Sequence, residues 1–440
     1  MNYLNKERVR YMNYRIESVY IEILRQELVP ALGCTEPGAI AFSTSKVREL
    51  LEGRPDHIDI ICSGNIIKNA KGVTVPNSGG MHGIEAAAIL GALVSGAQDE
   101  LEVLKSVTDR ERSEASALIG SGYCNTSLEE NESGFYLRVV ATRDSDEAEV
   151  IIKNHHTNII FMRLNDKTIL DSKNKEDEEN RGLTDLLNIK DIIEFADQVD
   201  IRKIKPIIKP QIEFNMAVAE EGMKEKYGAE VGRTILETNE TNVKTKARAM
   251  AAAGSDARMG GCSLPVIVNS GSGNQGITLT VPVVVYAREM DLPDEKLYRA
   301  LALSNLVAIH IKKYIGTLSA FCGAVTAGTA AGAAIMYLKG GDYEQIAATI
   351  INALGNLGGV ICDGAKASCA AKISSSVEAG ITACDMAIKG RSFPFSQGIV
   401  IDDVEKTIEN VGHVAMDGMH ITDIEILKIM LEDENRIRTN

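Results

Sequence analysis

The chain has 440 residues and a formal net charge of −14, with 61 acidic against 47 basic side chains, 45% hydrophobic residues and 25% charged ones. This balance is that of a soluble globular protein with core material for two or three domains, and the negative charge argues against nucleic acid or an anionic membrane as a partner. No apolar run reaches the ~18 residues of a membrane span, the N-terminus lacks the apolar stretch of a secretory signal, and eight cysteines are too few for a disulfide scaffold, so a reducing, cytoplasmic setting is expected.

Apolar residues Val9, Met12, Ile16, Val19, Ile23 and Leu24 recur at helical spacing and predict an amphipathic helix over 8–30, ending at Pro30. A compact loop, Leu32-Gly-Cys-Thr-Glu-Pro-Gly38, leads into a helical run from Ala39 to Leu51. Short apolar runs predict strands at Ile58–Cys62 and Gly72–Val75, and Ile84 to Val94 reads as a buried helix. Further strands are expected at Phe135–Thr142, Ala148–Lys153 and Asn158–Leu164. The dense charged stretch Asp171–Arg181 marks an exposed linker, dividing the chain into an α/β region over 1–185 and a mainly helical one over 186–440. Helices follow at Ile212–Tyr227 and Glu240–Ala253, then Ala/Gly-rich, closely packed helices between Leu297 and Ala387, and a charged amphipathic tail from Val404 to Asn440. The fold class is α+β.

Chemistry concentrates in the cysteines. Cys362-Asp-Gly-Ala-Lys-Ala-Ser-Cys369 follows Cys322 by forty residues, and Cys322 sits among small residues at the start of a helical run. Three thiols can hold a cubane iron–sulfur cluster of four irons and leave one iron open to a substrate, whereas electron carriers close all four positions. Cys362 and Cys369 are seven residues apart, about 10.5 Å of rise if both were helical, so Cys362 is expected in the loop before the helix, with Asp363 near the N-cap and Gly364 turning the chain. The alternative is that all three thiols are small buried hydrophobes, as free cysteines usually are. Cys34, beside Glu36 in the first loop, reads as a general base of lowered pKa, as a cluster ligand or as a turn residue.

Two glycine-rich loops echo each other, Asn77-Ser-Gly-Gly-Met-His-Gly83 and Asn269-Ser-Gly-Ser-Gly-Asn-Gln-Gly276. Such loops cradle anions through backbone N–H groups, so Asn77, Ser78, Gly79, His82, Ser270, Gly271 and Asn274 are candidate substrate contacts; ordinary turns are the alternative. The other six histidines and Cys62, Cys124, Cys262 and Cys384 read as structural. Lys366 and Lys372 flank Cys369; they would neutralise an anionic cluster or substrate or simply be solvated, or Lys366 would carry pyridoxal phosphate in a rival lyase.

Cys322-Gly-Ala, Gly358-Gly-Val-Ile-Cys-Asp-Gly-Ala-Lys-Ala-Ser-Cys369 and Leu32-Gly-Cys-Thr-Glu-Pro37, with both Asn-Ser-Gly loops, resemble the L-cysteine desulfidase family, relatives of the iron–sulfur L-serine dehydratase alpha chain. The resemblance implies an oxygen-sensitive [4Fe–4S] lyase that takes L-cysteine and water to pyruvate, ammonia and sulfide, or L-serine to pyruvate and ammonia, the water first eliminated being used to hydrolyse the imine. It implies Cys322, Cys362 and Cys369 as cluster ligands and Cys34 as proton acceptor, with Cys34 in place of Cys369 as an alternative ligand. A homo-oligomer acting on a small amino acid is expected, and a non-catalytic homologue is the remaining alternative.

Overall fold

The computed structural model describes residues 16–132, 134–172, 182–316, 318–395 and 398–438. Helix α1 runs over 16–27 and buries Tyr20, Ile23 and Leu24; the part of the expected helix over 8–15 lies outside the described residues. Strand β1 (Pro30–Leu32) and helix α2 (Thr35–Leu50) follow, and Gly33 between them, at φ +58°, lets the chain turn where a Cβ would strike Pro76.

A six-stranded sheet comes next, from β2 (His57–Cys62), β3 (Cys124–Leu128), β4 (Tyr136–Arg143), β5 (Asp146–Lys153), β6 (Ile159–Leu164) and β7 (Lys167–Asp171). The spatial order is β3-β2-β4-β5-β6-β7, with β2 and β3 parallel and the other neighbours antiparallel. Burial alternates along β2 and β4, as a sheet covered on one face requires. Helix α2 packs on β4 and β5, and α4 (Gly83–Leu93) packs on β3. Between β2 and α4 lies α3 (Gly64–Ala70), and a 3₁₀ stretch, Ala97–Ser106, leads to α5 (Asp109–Leu118).

The second half is helical: α6 (Ile189–Gln198), α7 (Ile201–Lys224), α8 (Val231–Thr238) and α9 (Val243–Met259), then strand β8 (Pro265–Ile267). After it come α10 (Gly273–Glu289), α11 (Asp294–Ile315), α12 (Gly323–Leu338), α13 (Tyr343–Leu357), α14 (Cys369–Ile388), α15 (Val404–His413) and α16 (His420–Arg438). β8 pairs antiparallel with β1 and ties the two halves together beside Cys34. One hydrophobic core extends through residues on both sides of 185/186.

The fold is α+β, as expected. Two elements differ from their sequence reading. Gly72–Val75 is no strand, since Thr74 makes only an isolated bridge to His82. Helix α7 starts at Ile201 rather than Ile212 and runs through Pro206 and Pro210. Its buried stripe of Ile204, Ile208, Gln211 and Asn215 offsets the hydrogen bonds that the prolines omit. Of the charged linker, residues 173–181 lie outside the described residues.

Candidate active site

Cys322, Cys362 and Cys369 come from three separate backbone positions and line one cavity together with Cys34. Phe321 and Ile361 form an antiparallel bridge; Cys322 N–H donates to Val360 O at 2.9 Å and Cys362 N–H to Ala320 O at 2.7 Å. This short ladder sets Cys322, the N-cap of α12, beside Cys362 in the loop before α14. Cys362 lies where the spacing places it, and Gly364, at φ +95°, supplies the turn; a Cβ there would lie 2.4 Å from Lys68 O. Asp363 is not the cap. Ser368 holds that position, and Asp363 pairs with Lys372 instead. Cys369 opens α14, its Sγ accepting the Lys366 N–H at 3.4 Å. The Lys366 ammonium donates to the carbonyls of Lys68 at 3.3 Å and Lys71 at 3.0 Å, strapping the cysteine loop to α3.

Cations surround these thiols. Cys322 and Cys362 share a hydrogen bond that holds the Cys322 thiol above its ordinary range and Cys362 below it, with Lys68 and Lys312 adding to the second effect. Lys68 is 1% exposed and pairs with Asp423 of α16. Burial pushes the Lys312 ammonium down to about 8, against the opposing pull of Cys362 and Cys322.

Cys34 is the N-cap of α2, yet its thiol is raised, contrary to the expected lowering. Burial is the larger cause, and the Glu36 carboxylate, 3.0 Å from Sγ and accepting its proton, is the next. Arg258 opposes both. Burial also disfavours the Glu36 charge, but His156, 3.8 Å away, and the Cys34 donor outweigh it and hold the carboxyl below the usual range. Glu36 also accepts from the Asn69 amide at 2.9 Å and from the Thr35 hydroxyl at 3.1 Å. Cys34 packs against Cys369, Ala365, Val73 and Met259.

The second glycine-rich loop forms one wall. A buried amide network anchors it: Asn269 and Gln211 both donate to Asn305 Oδ1 at 2.9 Å, and Asn215 exchanges hydrogen bonds with Ile267. Ser270, Gly271 and Asn274 line the cavity. The Ser270 N–H serves a resident carboxyl, Glu27, which burial raises to about 7. Gly271 and Gly273 make room for side chains, since a Cβ would meet His156 at 2.7 Å or Arg258 Nε at 2.4 Å. The first loop is not part of this wall: Asn77, Ser78, Gly79 and His82 are absent from the cavity lining. Asn77 spends its amide on the carbonyls of Leu104 and Val107, each at 3.0 Å, Ser78 bonds Met81, and His82, at the N-cap position of α4, turns its ring to Thr74.

The cleft encloses about 770 Å³ including its open mouth. Among the described residues, nine have a buried side-chain N or O atom without a hydrogen-bond partner, and four of them, Asn69, His156, Arg258 and Asn274, line this cavity. Buried polar atoms are rarely left unpaired, so the wall is built for a polar guest. Glu36, His156, Arg258 and Lys312 carried no local sequence signal. No three His, Cys, Asp or Glu side chains among the described residues gather tightly enough for a single metal ion. A cluster, which offers a separate iron to each thiolate, suits a wider set of donors, and the lysines and the small lining residues Gly323, Ala324, Gly364 and Ala365 suit its charge and bulk. No helix among the described residues is long and apolar enough to cross a membrane.

Residues 98–428 match the family of the serine dehydratase alpha chain. A UPF0597 protein of Treponema denticola is 48% identical over 421 residues, covering 94% of this chain and 98% of its own. A UPF0597 protein of Lachnoclostridium phytofermentans is 46% identical over 411 residues, covering 93% and 99%. One of Phocaeicola vulgatus is 40% identical over 417 residues, covering 93% and 96%.

Proposed function

Since the chain belongs to the serine dehydratase alpha-chain family, we propose that it is an iron–sulfur lyase acting on a small amino acid, converting L-cysteine and water to pyruvate, ammonia and sulfide. The observation that carries this reading is the convergence of Cys34, Cys322, Cys362 and Cys369 on one polar cavity. Cys322, Cys362 and Cys369 would hold a [4Fe–4S] cluster, with Lys312 and Lys68 facing its negative charge. When bound, the cluster supplies a Lewis-acidic iron, free of a protein ligand, for the leaving sulfur.

Cys34 takes the α-proton, and its surroundings set the terms. Glu36 orients the thiol through the 3.0 Å hydrogen bond, while its charge and burial keep the thiol protonated in the empty site. A substrate ammonium entering beside Glu36 would offset that charge and let Cys34 pass its proton by way of Glu36 to solvent, so the thiolate base arises with the substrate in place. The fixed loop Asn269–Gly276 and the ladder joining Cys322 to Cys362 keep the walls rigid, as near-attack positioning requires.

The test is anaerobic reconstitution followed by parallel assays of sulfide from L-cysteine and pyruvate from L-serine. Turnover of L-cysteine supports the reading. Turnover of L-serine alone makes the chain a dehydratase, as the family's description favours, and turnover of neither overturns the proposal.

A further inference from the structure

The cavity holds an arginine whose Nε meets no hydrogen-bond partner. Arg258 lies in the last turn of α9 and is 5% exposed. Its Nε is buried without a hydrogen-bond partner. Glu36, the one acid among the described lining residues, is already engaged by Cys34, Thr35, Asn69 and His156. A guanidinium nitrogen withdrawn from water without a partner is costly, and an anion from outside the chain would offset that cost. The loop is shaped to admit it: a Cβ at Gly273 would lie 2.4 Å from Nε and 2.8 Å from Cζ of Arg258.

We propose that Arg258 is the carboxylate anchor of this cavity, receiving the α-carboxylate of the amino-acid substrate. The inference deepens the proposed lyase function and rests on it for the identity of the ligand, though the carboxylate site itself stands on geometry. The Arg258 charge is felt by both Cys34 and Cys369, so an anion held there lies beside the base and next to the cluster ligands. Asn274 Oδ1, also buried and unpaired in the same cavity lining as Glu36, is a further acceptor, after the Glu36 carboxylate, suited to the ammonium of the same zwitterion. The glycines of the second loop therefore serve the substrate indirectly, by making space for the cation that binds it.

Two thiol probes isolate the carboxylate. 3-Mercaptopropionate carries a carboxylate and no amine; cysteamine carries an amine and no carboxylate. Their binding to anaerobically reconstituted wild type, R258Q and R258K is measured by calorimetry, with the cluster absorption recorded and the KM and kcat for L-cysteine determined in parallel. Wild type should prefer 3-mercaptopropionate. R258Q should lose roughly ten- to hundredfold in its affinity, the scale of a lost charge-assisted hydrogen bond, with cysteamine binding and the cluster spectrum unchanged and the loss in turnover appearing in KM. R258K, which keeps the charge without the planar fork, should fall between them and secures the test if R258Q does not fold. Unchanged 3-mercaptopropionate binding in the variants overturns the inference, as does an equal loss of both probes with an altered cluster spectrum, which would assign Arg258 to the cluster. Wild-type discrimination without turnover of either amino acid would retain the carboxylate site and refute the lyase reading.

Discussion

Helices α12 and α14 carry two of the proposed ligands at their N-terminal ends, Cys322 as N-cap and Cys369 as first residue. Glycines bring these helices together. A Cβ at Gly380 would lie 2.2 Å from Gly328 O and 3.3 Å from Gly332 Cα, against an ordinary contact of 3.4 Å or more. Gly380→Ala must therefore move the two backbones apart by about 1.2 Å at that point, since neither neighbour is a flexible side-chain end. Ala is intrinsically better than Gly inside a helix by about 1 kcal/mol, while overpacking a tight core costs about 1–3 kcal/mol and more where backbone must shift. The expected net effect is destabilisation, together with a wider separation of Cys322 from Cys369. Differential scanning fluorimetry of the cluster-free protein should show a lower melting midpoint, and iron and sulfide per chain after reconstitution should fall. A variant as stable as wild type or more so, with full iron, would refute the argument that this crossing sets the spacing of the thiols.

Lys312→Met replaces a buried ammonium facing Cys322 and Cys362 with an apolar chain of similar length. The cluster-free protein should melt higher and the reconstituted protein should retain less iron; iron retention equal to wild type would remove the lysine from cluster binding. Asp256 is 1% exposed, accepts the Gly232 N–H at 3.0 Å and is raised from 3.8 to about 6 by burial. The native state thus binds the extra proton between those values, so the contribution of Asp256 to stability is fully present below about pH 4 and is lost as pH rises through about 6. By the worth of a pKa unit this component is at most roughly 3 kcal/mol. Denaturant midpoints across that window should show the component in wild type and not in Asp256→Asn; identical profiles would contradict it.

The sheet was legible as short apolar runs such as Ile58–Cys62 and Phe135–Thr142, and burial along β2 and β4 alternates with the period of two that a sheet covered on one face requires. So was the uniformly apolar α4. Gly72–Val75 has the composition of a strand but no neighbour to pair with, which no local pattern reveals. Helix α7 extends upstream of Ile212 through two prolines that are locally breakers, because its buried stripe, a tertiary fact, outweighs them. In the site, the cysteines could be picked out by residue type and by the glycine that turns the chain at 364. Glu36, His156, Arg258 and Lys312 could not, because their significance lies in being buried around one cavity from distant segments. The raised thiol of Cys34 escaped for the same reason: the helix N-terminus was visible, whereas its burial and the Glu36 rotamer were not. The two Asn-Ser-Gly loops look alike in sequence, yet only the second faces the cavity, since the first is consumed in bonding the 3₁₀ stretch.

Iron and acid-labile sulfide per chain, measured after anaerobic reconstitution of wild type and of the four single Cys→Ser variants at 34, 322, 362 and 369, test the central claim most directly. The account predicts about four of each in wild type and in Cys34→Ser, with turnover abolished in the latter, and loss of the cluster in the other three. An iron-free wild type, or a Cys34→Ser protein that loses its iron while Cys369→Ser keeps it, would contradict the account.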